Sequence, residues 1–127
     1  MKKQSKLFFA GRMKSFHYAF SGLKTVFLEE TNFRIHLIAA VIAVIFGFLL
    51  KISILEWSVI IFVIGFVFVT EILNSSIETL ADTFSLEKNE NVKKLKDMSA
   101  AAVLVSAISA LIVGLIIFLP KILTLIK

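Results

Sequence analysis

From Met98 to Pro120 the chain runs for 23 residues without a charged side chain. About 20 such residues cross a bilayer, whereas buried helices of soluble proteins rarely sustain more than roughly 14. Two more apolar runs precede it. Ile35–Leu50 is interrupted only by His36; the other begins after Lys51, passes Glu56 and Trp57, and continues to Glu71. With their flanks, Phe33–Leu50 and Ile52–Thr70 are 18–19 residues each, long enough to span. The sequence therefore predicts three membrane helices. A chain of 127 residues that is 58% apolar fits this reading, because a soluble domain so small buries only about two-thirds of its unfolded surface. The same composition excludes an ordinary soluble enzyme and a disordered tail; with no cysteine, it excludes a disulfide-stapled secreted module. The first strong apolar run starts late and lacks a small-residue cleavage pattern, so a cleaved signal peptide is not expected.

The charges divide by side. Lys2, Lys3, Lys6, Arg12, Lys14, Lys24 and Arg34 precede the first span, and Lys88, Lys93, Lys94 and Lys96 lie between the second and third. Only Lys51, Lys121 and Lys127 fall on the opposite side. Eleven against three puts the N-terminus and second loop in the cytoplasm and the C-terminus outside. A net charge of +5 could suggest nucleic acid. No basic stripe interleaves with stacking aromatics away from the N-terminal segment, so topology is the more economical explanation and no nucleic-acid partner is expected.

The N-terminal segment has a different pattern. Phe9, Met13, Phe16, Phe20, Leu23 and Phe27 recur at steps of four and three, one stripe of a helix. Lys14, His17, Ser21 and Lys24 run along another face. This predicts an amphipathic helix over about residues 5–28 in the cytoplasmic headgroup layer. The plainer alternative packs the Phe stripe against the membrane bundle.

Carboxylates inside membrane helices are costly and mark functional sites by default. The second span runs into Glu71-Ile72-Leu73-Asn74-Ser75-Ser76-Ile77-Glu78-Thr79-Leu80-Ala81-Asp82. At 100° per residue, Glu71, Glu78 and Asp82 fall within about 20° of one line, flanked by Asn74 and Ser75. Glu71 and Glu78 are about 10 Å apart along the axis, too far for one metal to bridge directly. The spacing suits a buried base near the lipid and a cation site nearer the cytosol. A helix leaving the membrane with a solvated polar face is the alternative, more credible for Asp82 than for Glu71. A carboxylate at low dielectric is a candidate general base. Glu29-Glu30, Glu87, Glu90 and Lys96-Asp97 belong at the same level. Carboxylates with a Lys suit Mg²⁺ and polyphosphate, since Mg²⁺ takes one or two carboxylates plus phosphate oxygens. No GxxxxGK[ST] loop is present, so any nucleotide binds without the usual phosphate cradle.

The run Glu71-x-x-Asn74-Ser75-Ser76-Ile77-Glu78-x-x-x-Asp82 resembles the signature of the small bacterial integral-membrane lipid kinases, the diacylglycerol kinase and undecaprenol kinase family. The likeness extends to Glu30-x-x-Phe33-Arg34 and Lys96-Asp97-Met98 and covers essentially the whole chain. It implies an all-α membrane protein of the bacterial cell membrane, a homotrimer with three transmembrane helices per chain (about 33–50, 52–82 and 96–119) and a surface helix. It implies Glu71 as general base, Glu30 and Glu78 holding the Mg²⁺ that accompanies ATP, and Lys96 on the phosphates. Asp97, Glu87 and Tyr18 would place the nucleotide; Asn74 and Arg12 would serve the lipid substrate. His36 stands where the diacylglycerol kinase branch is acidic, Ala100 where it has Ser, and Gly11 where it has Arg. The stretches 31–36, 54–57 and 114–121 look instead like the undecaprenol kinase branch. The expected reaction is phosphorylation of a lipid's terminal hydroxyl, undecaprenol first and diacylglycerol second. A non-enzymatic membrane scaffold or ion-conducting bundle is the rival class.

Overall fold

The computed structural model describes residues 1–84 and 89–127. Four helices account for nearly all of them: α1 (Lys2–Glu29), α2 (Thr31–Leu49), α3 (Ile54–Phe84) and α4 (Glu90–Ile126). No strand occurs among the described residues. α2, α3 and α4 are each long and apolar enough to cross a membrane. At 1.5 Å per residue α3 is about 46 Å long and α4 about 55 Å, against a hydrocarbon layer of roughly 30 Å. Both helices therefore project beyond the apolar layer.

α1 and α2 are separated by one extended residue, Glu30. Its N–H bonds the Val26 carbonyl at 2.9 Å. Two more carbonyls left open at the end of α1 are taken by Arg34, four residues into α2. Its Nη1 donates to Phe27 O (3.0 Å) and Leu28 O (2.9 Å), and its Nη2 to Thr31 Oγ1 (3.2 Å). A cation on the last carbonyls of a helix satisfies orphan acceptors and opposes the dipole. Of the α1 stripe, Phe9, Met13, Phe16 and Phe20 are exposed within the chain, and Leu23 lines a groove against α3. The inward side is that of Gly22 and Val26.

The turn from α2 to α3 is tight. Ile52 N–H bonds Gly47 O and Leu50 N–H bonds Phe46 O, with Lys51 at φ 52° between them. This is the left-handed closure usually given to glycine. Beneath it, a Cβ on Gly47 would lie 2.6 Å from Trp57, so glycine is what allows the indole to sit against α2. Ser53 and Glu56 cap α3 reciprocally: Ser53 N–H donates to Glu56 Oε1 (2.9 Å) and Glu56 N–H to Ser53 Oγ (3.1 Å).

α3 and α4 form the most extensive contact, antiparallel, and α2 lies more loosely on α3. Ile52, Ile60 and Ile117 centre the apolar contact near the α2–α3 turn, with Trp57 and Phe118 beside them. Lipid is as apolar as these side chains, so packing and polar contacts must hold the helices together. Four such contacts link α3 to α4: Glu56–Lys121 (3.2 Å), Thr70–Ser106 (2.8 Å), Asn74–Ser99 (2.7 Å) and Asp82–Lys96.

The ends of α4 depart from the expected span. It starts six residues early because Asn89 caps it, Oδ1 accepting from Asn91 N–H at 2.9 Å. Lys93, Lys94 and Lys96 thus belong to a helix rather than a loop. It also runs past the expected end near 119, with Pro120 inside the helix. Proline removes one backbone donor there, a cost met near the helix end, where Lys121 is tied to Glu56.

Candidate functional site

The polar face expected on α3 exists, and it meets α2 and α4 at one end of the bundle. Glu71 lies about 25 Å along α3 from Ile54, close to the full thickness of a hydrocarbon layer. The residue is 1% exposed. A buried carboxylate needs partners, and the nearest is His36 of α2, whose Nε2 is 3.1 Å from Glu71 Oε1. That contact has ion-pair length but no hydrogen-bond alignment, so Oε1 is buried without an aligned donor, as is Ser75 Oγ one turn on. Thr70, immediately before Glu71, is fixed by Ser106.

One turn along, Asn74 Oδ1 accepts from Ser99 Oγ at 2.7 Å, and Ser99 Oγ is also 3.0 Å from Lys96 O. The amide is thereby oriented from α4. Glu78 follows, half-buried. Glu30 lines a groove together with Ser75, Ser76 and Thr79 of α3, the stretch of helix between Glu71 and Asp82. Lys96 is ion-paired with Asp82 and also feels the charge of Glu78. The structure thus gathers Glu30, Glu71, Asn74, Glu78 and Lys96, contributed by the α1–α2 break, α3 and α4.

Other expected residues are less engaged. Asp97 pairs with Lys93 one turn back (3.2 Å) and is exposed. Tyr18 is exposed on α1, and Arg12 lies over the Phe8 ring at 4.7 Å. Neither makes a hydrogen bond or ion pair with the α3 carboxylates. Glu87 lies outside the described residues.

Two grooves flank the carboxylates. One, of about 870 Å³, separates α1 from α3 and is lined by Gly22, Val26, Glu29, Glu30, Ser76 and Thr79 among others. It is polar on the side of Glu30. The other, of about 510 Å³, runs between α2, α3 and α4 past Ala39, Ala43, Phe46, Ala107 and Gly114. His36 is its one polar lining residue.

The donor set can be tested for Mg²⁺. Among the described residues no three acidic or histidine side chains group closely enough to hold a metal by themselves. Glu30 and Glu78 offer two carboxylates, which is what Mg²⁺ takes from a protein when phosphate oxygens and water supply the rest. The residues fit a metal that arrives with a polyphosphate.

Sequence reasoning missed two partners. His36 registered only as a departure from the diacylglycerol kinase pattern, and Ser99 had no assigned role. The one available signal was Ser99, three residues after Lys96 and so one turn deeper on the same helix.

Comparison with known proteins decides the family. The model of the prokaryotic diacylglycerol kinase family matches residues 17–118. The chain belongs to that family. Undecaprenol kinase of Bacillus subtilis is 42% identical over 108 residues, covering 85% of this chain and 88% of its own. Diacylglycerol kinase of Synechocystis sp. is 36% identical over 112 residues, 87% of this chain and 64% of its own. That of Escherichia coli K12 is 33% identical over 100 residues, 79% and 82% respectively. Family members bearing these names are lipid kinases, and with three apolar helices this one is a multi-pass membrane lipid kinase.

Proposed function

We propose that the protein transfers the γ-phosphoryl group of ATP to the terminal hydroxyl of a membrane lipid, undecaprenol in preference to diacylglycerol. The observation that carries this is a buried carboxylate, Glu71, about 25 Å along α3, with the half-buried Glu78 two turns further on the same helix. The relative named undecaprenol kinase matches this chain at higher identity than those named diacylglycerol kinase, and over most of both chains. That favours the polyprenol.

The reaction follows from the positions. The lipid chain stays in the apolar layer, with the groove between α2, α3 and α4 as a ready berth, and its hydroxyl reaches Glu71. Glu71 takes the hydroxyl proton. The freed electron pair forms the bond to the γ-phosphorus, the bond from phosphorus to the ADP oxygen breaks, and ADP leaves. Glu30 and Glu78 hold Mg²⁺, which when bound neutralises phosphate charge. Lys96, exchanged from Asp82, meets the phosphates; Asp97, Tyr18 and Glu87 place the nucleotide. Asn74 and Arg12 orient the lipid end. Phosphoryl transfer asks mainly for positioning and charge stabilisation, and these residues supply both. The chain acts as a homotrimer in the bacterial cell membrane, N-terminus and second loop cytoplasmic, with α1 resting its Phe stripe in the cytoplasmic leaflet.

Labelled ATP offered to the protein in mixed micelles with undecaprenol and diacylglycerol side by side tests the reading. Labelled undecaprenyl phosphate is the expected main product. Label on diacylglycerol alone reverses the preference; label on neither returns the protein to the scaffold class. Glu71→Gln should keep the fold and ATP binding while lowering turnover by about 10²–10⁴-fold. Wild-type turnover in that variant removes the base.

A further inference from the structure

Glu71 is buried, and a carboxylate without a counter-charge is poorly tolerated away from water. The cations that could answer are committed elsewhere: Arg34 is turned back onto the carbonyls of Phe27 and Leu28, and Lys96 is held by Asp82. Among the described residues, the group that can carry positive charge and touches Glu71 is His36, at 3.1 Å.

His36 also stands at a useful place. Its side chain is 24% exposed, against 2% for that of Glu71. That exposure opens on the groove whose other lining residues are all apolar. It comes from α2, whereas Glu71, Asn74 and Glu78 share α3. One helix thus offers the carboxylate and another sets its orientation. The contact is close but not aligned, and catalytic hydrogen bonds commonly tighten only when substrate completes the site.

We propose that His36 is a positioning residue for the transfer: Nε2 steers the Glu71 carboxylate as a donor, so that the base meets the lipid hydroxyl in one orientation. The inference rests on Glu71 being the base. His36 takes no proton from the lipid itself; the hydroxyl proton goes to Glu71. Its effect is felt in turnover, not in nucleotide binding.

The test compares His36→Leu and His36→Gln in the full-length protein in micelles, with steady-state kinetics against ATP and undecaprenol. Leucine keeps bulk and removes the ring nitrogens; glutamine returns an N–H donor. His36→Leu should lower kcat about 10- to 100-fold with KM for ATP within about twofold, and His36→Gln should recover most of the loss. In a Glu71→Gln background, His36→Leu should cost little more, because a residue acting through another loses its effect with it. Wild-type kcat in both His36 variants overturns the proposal. So does a loss that glutamine does not rescue and that comes with a lowered Tm, since that describes packing alone. A full multiplicative loss in the double variant likewise makes His36 independent of Glu71. Failure of the base itself is distinguished by Glu71→Gln alone retaining turnover.

Discussion

At Thr70 and Ser106 three hydrogen-bond contacts share two protons. Each hydroxyl lies 2.8 Å from a carbonyl on its own helix, Val67 O and Val103 O, and the two oxygens are 2.8 Å apart. One hydroxyl must donate to its backbone while the other donates across the interface. Ser106 is fully buried, so no water substitutes for a lost partner. Ser106→Ala should cost about 1 kcal/mol, in the range for interhelical hydrogen bonds in membranes, and Ser106→Leu about 1–3 kcal/mol through overpacking. Thermal unfolding in detergent measures both, and a neutral Ser106→Leu would contradict the close approach of α3 and α4. Glu78 makes a different claim. As a metal-holding carboxylate, its change to Gln should raise the Mg²⁺ needed for half-maximal activity by about tenfold or more. An unchanged Mg²⁺ dependence would strip Glu78 of that role. The face bearing Glu71, Asn74 and Glu78 was legible in the sequence because all its members sit on one helix at helical spacing. His36–Glu71 and Asn74–Ser99 were not, because no period relates residues on different helices.

The elements were legible to different degrees. Three apolar runs of spanning length and a four-three Phe stripe are local patterns, and all four helices formed. Their ends depend on individual chemistry. Asn89 starts α4 early by capping it, and α4 continues through Pro120 to Ile126, with Lys121 tied to Glu56. The stripe on α1 fixed a helix but not what covers it; within the chain Phe9, Met13, Phe16 and Phe20 stay open, while Leu23 lines the groove against α3. The α2–α3 turn yields two opposite expectations. Lys51 occupies a left-handed conformation that strains residues bearing a Cβ, so Lys51→Gly should stabilise by about 0.5–1 kcal/mol. Gly47 has the reverse character: the Trp57 indole fills the space a side chain would need. Gly47→Leu should therefore destabilise by about 1–3 kcal/mol. Denaturation in detergent reads both, and equal signs for the pair would refute the account of the turn.

At the scale of the whole molecule, an odd number of crossings puts the termini on opposite sides. The chain has no cysteine, so single cysteines can be introduced without background. Cysteine at Ser5 should react with a membrane-impermeant maleimide only after cells are opened, and cysteine at Lys127 in intact cells. The reverse pattern would invert the proposed orientation. The polar links between α3 and α4 carry a further consequence. Successive contacts join residues 36, 25 and 14 apart in sequence, with Glu56–Lys121 at the other end of the pair. They work like teeth engaged along a rack. Sliding one helix past the other by a single turn, about 5.4 Å, would disengage every tooth together, and at the buried Thr70–Ser106 contact no water could take over the freed groups. The antiparallel pair is consequently locked in register and moves as one piece. Whatever rearrangement admits a lipid and a nucleotide to Glu71 falls to α2, which bears on it through His36, and to α1, hinged at Glu30.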